Sequence, residues 1–251
     1  MVDRPMLEAV VFDAGGTLVR LDFEWMSAIV REYGYDVSAP ELRRAEVAGR
    51  RRYDRSHSAL WSDAAQPLGA RGDVRWYFGG MLLAAGLPHH SIEILVVRFL
   101  SRERQSGLWA RQNEGARTVL DQVAQLGLRR CVVSNSDGRA AHHLKNSGVL
   151  EGHEFVVDSQ LVGVEKPDPR IFQIALGRMG VAPDRALYVG DIRSVDEVGS
   201  AAAGMHFVLI DPSDDYAADG APRIASIGEL PAHIEARFQI ASSRSVAAGT
   251  R

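Results

Sequence analysis

The sequence predicts an α/β protein: a doubly wound parallel sheet with a small all-helical domain inserted after its first strand. Three observations predict it. From Gly107 onward, short apolar runs alternate with helical stretches. One further run of the same kind, Ala9 to Phe12, stands apart near the N-terminus. Between the two, residues 20–104 hold helical patterns and no convincing buried strand.

Ala9, Val10, Val11 and Phe12 read as a buried strand that ends at Asp13, with Gly15 and Gly16 directly behind it. A carboxylate at the C-terminal end of such a strand, next to glycines that admit a ligand to the backbone, marks a phosphate or metal site in an open sheet. Helices are expected over 23–33, 40–56, 74–85 and 91–102, with turns at Gly34, at 67–69 and at 86–88. In the last helix Ile92, Leu95, Val96, Phe99 and Leu100 share one face. A helix over 116–126 then closes at Gly127, and a strand over 128–133 ends at Ser134-Asn135. A helix over 139–147 and a strand over 154–157 follow. Pro169 suits the first turn of a helix over 168–179, which Gly180 ends. The strand over 186–189 stops at Gly190-Asp191, a helix covers 195–203, and a last strand covers 206–210. The small, polar stretch 241–251 is expected to be mobile.

The chain of 251 residues is 46% hydrophobic and 24% charged, enough for one large domain or one domain with an insertion. A net charge of −3 gives no reason to expect nucleic acid or an anionic membrane as partner. No apolar stretch approaches the ~18 residues of a membrane span. The N-terminus runs straight into the first strand, leaving no room for a secretory signal, so a cytoplasmic location is expected. Cys131, the sole cysteine, lies in an apolar run and is expected to be buried and inert. Lys145 and Lys166 are the only lysines.

Four clusters fall at strand ends or in loops beside them: Asp13-Ala14-Gly15-Gly16-Thr17, Ser134-Asn135, Lys166-Pro167, and Gly190-Asp191 with Asp196. Each alone has an ordinary explanation as a turn, a helix cap or a surface residue. In this order and at this spacing they resemble the motifs of the haloacid dehalogenase (HAD) superfamily of hydrolases, in the subgroup with a helical cap between the first and second motifs. The resemblance covers nearly the whole chain. It implies a Rossmann-like core built from residues 1–19 and 107–240, with the cap at 20–106.

It also implies roles. Asp13 would be the nucleophile that forms an aspartyl-phosphate, Ser134 would bond a phosphoryl oxygen, and Lys166 would neutralise charge. Gly16, Thr17 and Asn135 would lie beside the substrate. Mg²⁺ would be held by Asp13, Asp191, Asp196 and the backbone carbonyl of Gly15, since a carboxylate approaches a phosphate dianion only when a cation screens the repulsion. Asp196 could equally orient Lys166. The implied partner is a small phosphorylated metabolite, with the protein a monomer or homodimer.

One position departs from the pattern. Phosphatases of this superfamily carry a second aspartate two residues after the nucleophile, as general acid and base, and Gly15 stands there instead. Such a group is worth roughly 10²–10⁴ in rate. Dehalogenating members lack it as well, but they also lack the acids of the fourth motif, and here Asp191 and Asp196 are present. Members that cleave phosphonoacetaldehyde need a cap lysine, and residues 1–144 contain none. The preferred reading is a phosphatase that is slow or limited to good leaving groups such as aryl or acyl phosphates, with Asp22, Glu24 or a cap group as candidate substitutes for the acid. A catalytically weak protein that binds a phosphorylated ligand or a protein partner is the alternative. Gly15→Asp is expected to help alkyl phosphates more than aryl phosphates. Arg50, Arg51, Arg52 and Arg55 read as a solvated helix face, and His57, His89, His90, His142, His143 and His153 as surface or capping residues.

Overall fold

The computed structural model of the protein describes residues 4–57 and 73–240. The turn expected at 67–69 and the tail 241–251 lie outside these. In chain order, β1 (Met6–Leu7), β2 (Ala9–Phe12) and β3 (Val19–Leu21) lead into four helices. These are α1 (Phe23–Glu32), α2 (Ala39–His57), α3 (Arg75–Ala84) and α4 (His89–Ser106). The chain continues through β4 (Trp109–Gln112), α5 (Ala116–Gln125), β5 (Arg129–Ser134), α6 (Ala140–Asn146), β6 (Val156–Asp158) and α7 (Ser159–Val162). Then come α8 (Pro169–Met179), β7 (Ala186–Gly190), α9 (Val198–Ala202), β8 (His206–Ile210), β9 (Arg223–Ile224), α10 (Leu230–Arg237) and β10 (Gln239–Ile240).

The main sheet is parallel, in the order β6-β5-β2-β7-β8-β9. From β2 the chain first builds outward on one side and later returns to build on the other, so the order reverses at β2. That reversal opens a crevice at the strands' carboxyl ends. Side chains alternate across the central strand. Val10 and Phe12 pack in one layer with Val119, Leu120 and Leu187, while Ala9 and Val11 pack in the other with Cys131, Phe172 and Tyr188. Cys131 is fully buried, and burial pushes its thiol up to about 12.

Helices α1 to α4 bury a cluster of their own, including Phe23, Met26, Phe78, Met81, Leu95 and Phe99. Where α2 begins, the Ser38 amide donates to Glu41 at 2.8 Å, the reach-back of a capping box. The link between this cluster and the sheet is an antiparallel ribbon of β3 and β4, absent from the sequence reading. Its strands are three and four residues long and mix arginine with apolar residues, so neither announces itself locally. Across 195–203 the expected helix is replaced by a wide π turn at Arg193–Glu197 followed by α9.

Two histidines depart from the surface role expected of them. His143 is 8% exposed. His153 sets its ring edge-on to Phe12 at 5.8 Å, donates from Nδ1 to the Leu150 carbonyl at 3.1 Å, and leaves Nε2 buried without a partner. Burial holds this imidazole down to about 4, below its ordinary 6.5, so the folded protein keeps it neutral where the unfolded chain takes up a proton. Stability therefore falls as pH drops below about 6.5 and the loss is complete near 4, on the order of 2–3 kcal/mol from this group. Urea midpoints measured across that range are expected to show the decline, and His153→Phe to flatten it.

Candidate active site

Strands β5, β2 and β7 lie side by side, so their carboxyl ends bring Ser134, Asp13 and Asp191 to one place. The Asp13 amide donates to the Val189 carbonyl at 2.8 Å, which fixes the start of the loop. Gly16 then takes a φ of +78°, and a Cβ there would lie 2.0 Å from Asp191 Oδ2. Only glycine serves both the left-handed turn and the close passage of that carboxylate.

Lys166 arrives from the loop before α8 and is held by Asn135 at both ends of the amide. Asn135 Nδ2 donates to the Lys166 carbonyl at 2.9 Å, and the Lys166 amide donates to Asn135 Oδ1 at 2.7 Å. The peptide between Lys166 and Pro167 is cis. Lys166 Nζ then donates to Asp13 Oδ1 at 2.6 Å, Asp196 Oδ1 at 2.7 Å and the Tyr188 hydroxyl at 3.0 Å. Asp196 Oδ2 accepts from the amides of Asp191 and Ile192 at 3.1 and 3.0 Å. Asp196 thus ties the lysine to the loop that carries Asp191.

Of the expected substrate contacts, Asn135 spends its side chain on Lys166, though it still lines the cavity above Asp13. Gly16 and Thr17 lie behind it, their carbonyls accepting from Asn113 Nδ2 at 3.2 and 2.9 Å. Thr17 is fully buried, with Oγ1 unpartnered among the described residues. Asp22 and Glu24, the candidates for the missing acid, do not line that cavity. Asp22 caps α1 and pairs with Arg111 at 3.2 Å, and Glu24 pairs with Arg20 at 3.2 Å.

The arginine run of α2 is also more than a solvated face. Arg50, its side chain 12% exposed, lies 3.4 Å from Glu46 and 3.6 Å from Asp191. Arg52 stacks over Trp76 at 4.9 Å, and Arg51 pairs with Asp215 at 3.0 Å. Asp54, one turn beyond Arg50, accepts from the Ser194 amide at 2.7 Å. The spacing of Glu46, Arg50 and Asp54 at i, i+4 and i+8 was the available signal that one charged face of α2 turns inward. Tyr188 was hidden by its place in an apolar strand.

Three carboxylates dominate the charge. Asp13, Asp191 and Asp196 offer oxygens within 4.8 Å of one another, and all three are buried. Lys166 cancels one negative charge, and Arg50 is divided between Asp191 and Glu46. Burial pushes the Asp13 carboxyl up to about 6 although Lys166 pulls it down. Burial, with Asp13 and Asp196 nearby, raises Asp191 well above the usual range against the opposing pull of Arg50. Burial alone would lower Lys166, but Asp13 and Asp196 outweigh it and keep the ammonium firmly charged. A hard divalent cation fits this donor set: all-oxygen ligands carrying an excess of negative charge.

Above this floor lies a cavity of about 330 Å³ whose other walls include Tyr53, Val74, Tyr77, Trp109 and Leu144. Beside Gly15, where the second aspartate of a phosphatase would sit, stands an indole. A Cβ on Gly15 would meet Trp109 Cδ1 at 3.1 Å and Nε1 at 3.2 Å. Gly15→Asp alone therefore meets a filled place, and the gain expected for it from sequence requires Trp109 to move.

The family profile of haloacid dehalogenase-like hydrolases matches residues 7–204. The chain is 38% identical over 142 residues to mouse haloacid dehalogenase-like hydrolase domain-containing protein 3, a match covering 55% of this chain and 57% of that protein. It thus spans about half the length of that relative. It is 28% identical over 227 residues to the N-acetylmuramic acid 6-phosphate phosphatase of Pseudomonas aeruginosa, covering 87% and 90% of the two chains. The crystal structure of an HAD phosphatase from Thermococcus onnurineus superposes with a TM-score of 0.56 at 23% identity, over 92% of this chain and 99% of that one. At that identity the likeness speaks for the fold.

Proposed function

Because the chain belongs to the haloacid dehalogenase-like hydrolases, we propose that it is a Mg²⁺-dependent phosphoric monoester hydrolase of a small phosphorylated metabolite, acting through Asp13. The observation that carries this is the buried group of Asp13, Asp191 and Asp196 with a single lysine bonded to the first and last. A phosphatase name on the Pseudomonas aeruginosa relative supports the reaction class. Dehalogenation of a small acid would gain nothing from so much uncompensated negative charge.

In this reading an Asp13 carboxylate oxygen attacks phosphorus and the bond to the leaving oxygen breaks, giving an aspartyl-phosphate. Water then attacks the same phosphorus, and the Asp13 carboxylate is released with inorganic phosphate. Lys166 holds Asp13 in line and offsets charge on the transferring group, while Ser134 donates to a phosphoryl oxygen. Mg²⁺, held by Asp13, Asp191 and the carbonyl of Gly15 with Asp196 close by, would neutralise charge on the phosphoryl oxygens. Residues 20–106 serve as the cap that excludes water and selects the substrate.

The test is release of inorganic phosphate from 4-nitrophenyl phosphate. Release that needs Mg²⁺ and stops with EDTA is expected; no metal-dependent release, or turnover of chloroacetate without metal, would rule the reading out.

A further inference from the structure

We propose that the site takes aryl phosphate monoesters, with Trp109 filling the place of the missing acid and forming, with Tyr53 and Tyr77, the wall against which an aromatic leaving group stacks. This rests on the phosphatase reading above. The indole lies against Gly15, with Cδ1 and Nε1 at 3.1 and 3.2 Å from where a Cβ would stand. It is set edge-to-face with Tyr77 at 5.9 Å, and Tyr53 lies 6.4 Å from Tyr77, so three rings follow one another along the cavity. Trp109 Nε1 has no hydrogen-bond partner among the described residues. It can donate a hydrogen bond to the leaving oxygen, but an indole N–H transfers no proton at neutral pH.

The charges on the wall point the same way. Among the described residues that line the cavity, Lys166 is the one lysine and there is no arginine. Lys166 is already bonded to Asp13 and Asp196, Glu103 adds negative charge to the lining, and Asp137 is paired with Arg139 at 2.6 Å. The remaining basic group of that lining is His143, whose imidazole burial holds toward its neutral form, so no standing positive charge there is left to pair with a second carboxylate or phosphate on the substrate. An uncharged, flat group fits.

The missing acid selects within that class. As the Asp13 oxygen bonds phosphorus, the phosphorus–oxygen bond to the leaving group breaks and its electron pair departs with that oxygen. A phenol, near pKa ~10, leaves as phenolate far more readily than an alcohol whose pKa lies close to the ~15.7 of water. The phenolate takes its proton from solvent. Water then supplies the oxygen that leaves with inorganic phosphate and restores Asp13.

The test compares phenyl and butyl phosphates as substrates, and phenylphosphonate and methylphosphonate as ligands by calorimetry with Mg²⁺. The expected result is kcat/KM at least ~10² higher for phenyl phosphate, and phenylphosphonate bound about tenfold more tightly. Trp109→Ala should erase the phosphonate difference, while Trp109→Phe, which keeps a ring and the packing, should retain most of it. Gly15→Asp combined with Trp109→Ala should raise butyl phosphate turnover about tenfold over Trp109→Ala alone, whereas Gly15→Asp in the parent should not. Equal turnover of phenyl and butyl phosphates, or equal binding of the two phosphonates, with 4-nitrophenyl phosphate still hydrolysed, overturns the aryl assignment and leaves the phosphatase reading intact. No phosphate release and no binding of either phosphonate overturns both.

Discussion

Asp13→Asn is expected to lower phosphate release from 4-nitrophenyl phosphate by on the order of 10⁴-fold or more, the scale on which loss of a covalent nucleophile acts. The change is nearly isosteric, and asparagine can still accept the hydrogen bond that Lys166 Nζ now gives to Oδ1 at 2.6 Å. What disappears is the charged oxygen that attacks phosphorus. A purely structural Asp13 would behave differently: the variant would keep most of its turnover. Steady-state kinetics on protein whose circular dichroism matches the parent's separates the two.

The second large effect concerns stability as well as rate. Lys166→Met removes the one ammonium that bridges Asp13 and Asp196, its side chain being only 3% exposed. Methionine fills much of the same volume but leaves two buried carboxylates without their shared partner. Removing one member of a buried pair costs roughly 3–5 kcal/mol, or about 10 °C in unfolding midpoint for a chain of this size. Tyr188, whose hydroxyl donates to the Val133 carbonyl at 3.1 Å, would lose its contact with the lysine as well. Thermal unfolding without metal is the measurement, and a midpoint unchanged from the parent's would show that the Asp13–Lys166–Asp196 group is not coupled as drawn. Addition of Mg²⁺ is expected to recover part of the loss, because a cation can replace the missing charge.

The strand ends were legible in the sequence because their signal is local. Each of Asp13, Ser134 and Asp191 follows directly on an apolar run, and a parallel sheet delivers such ends to one edge. Lys166 stood out for a different reason, being one of two lysines in the chain. The remainder of the site depends on packing between distant segments. Arg50 is set apart from its neighbours in the arginine run only by its spacing from Glu46 and Asp54, and its partner Asp191 is fixed only when α2 docks on the loop carrying that residue. Trp109 reaches Gly15 because β3 and β4 pair with Leu21 opposite Trp109, a register that no short-range pattern announces. His143 and His153 looked like surface residues because burial of a lone imidazole leaves no periodic trace. The open first turn at Arg193–Glu197 likewise depends on the Asp196 carboxylate folding back onto the amides of Asp191 and Ile192, a tertiary choice laid over an ordinary helical sequence.

Whether Asp13 itself carries the phosphoryl group is decided by acid-quenching the protein during turnover of 4-nitrophenyl phosphate with Mg²⁺ and mapping the covalent adduct by mass spectrometry. One added PO₃ group is expected on the peptide containing Asp13, removed by hydroxylamine and absent from Asp13→Asn. Phosphate release with no adduct at Asp13, or with the adduct on another residue, would contradict that role for Asp13.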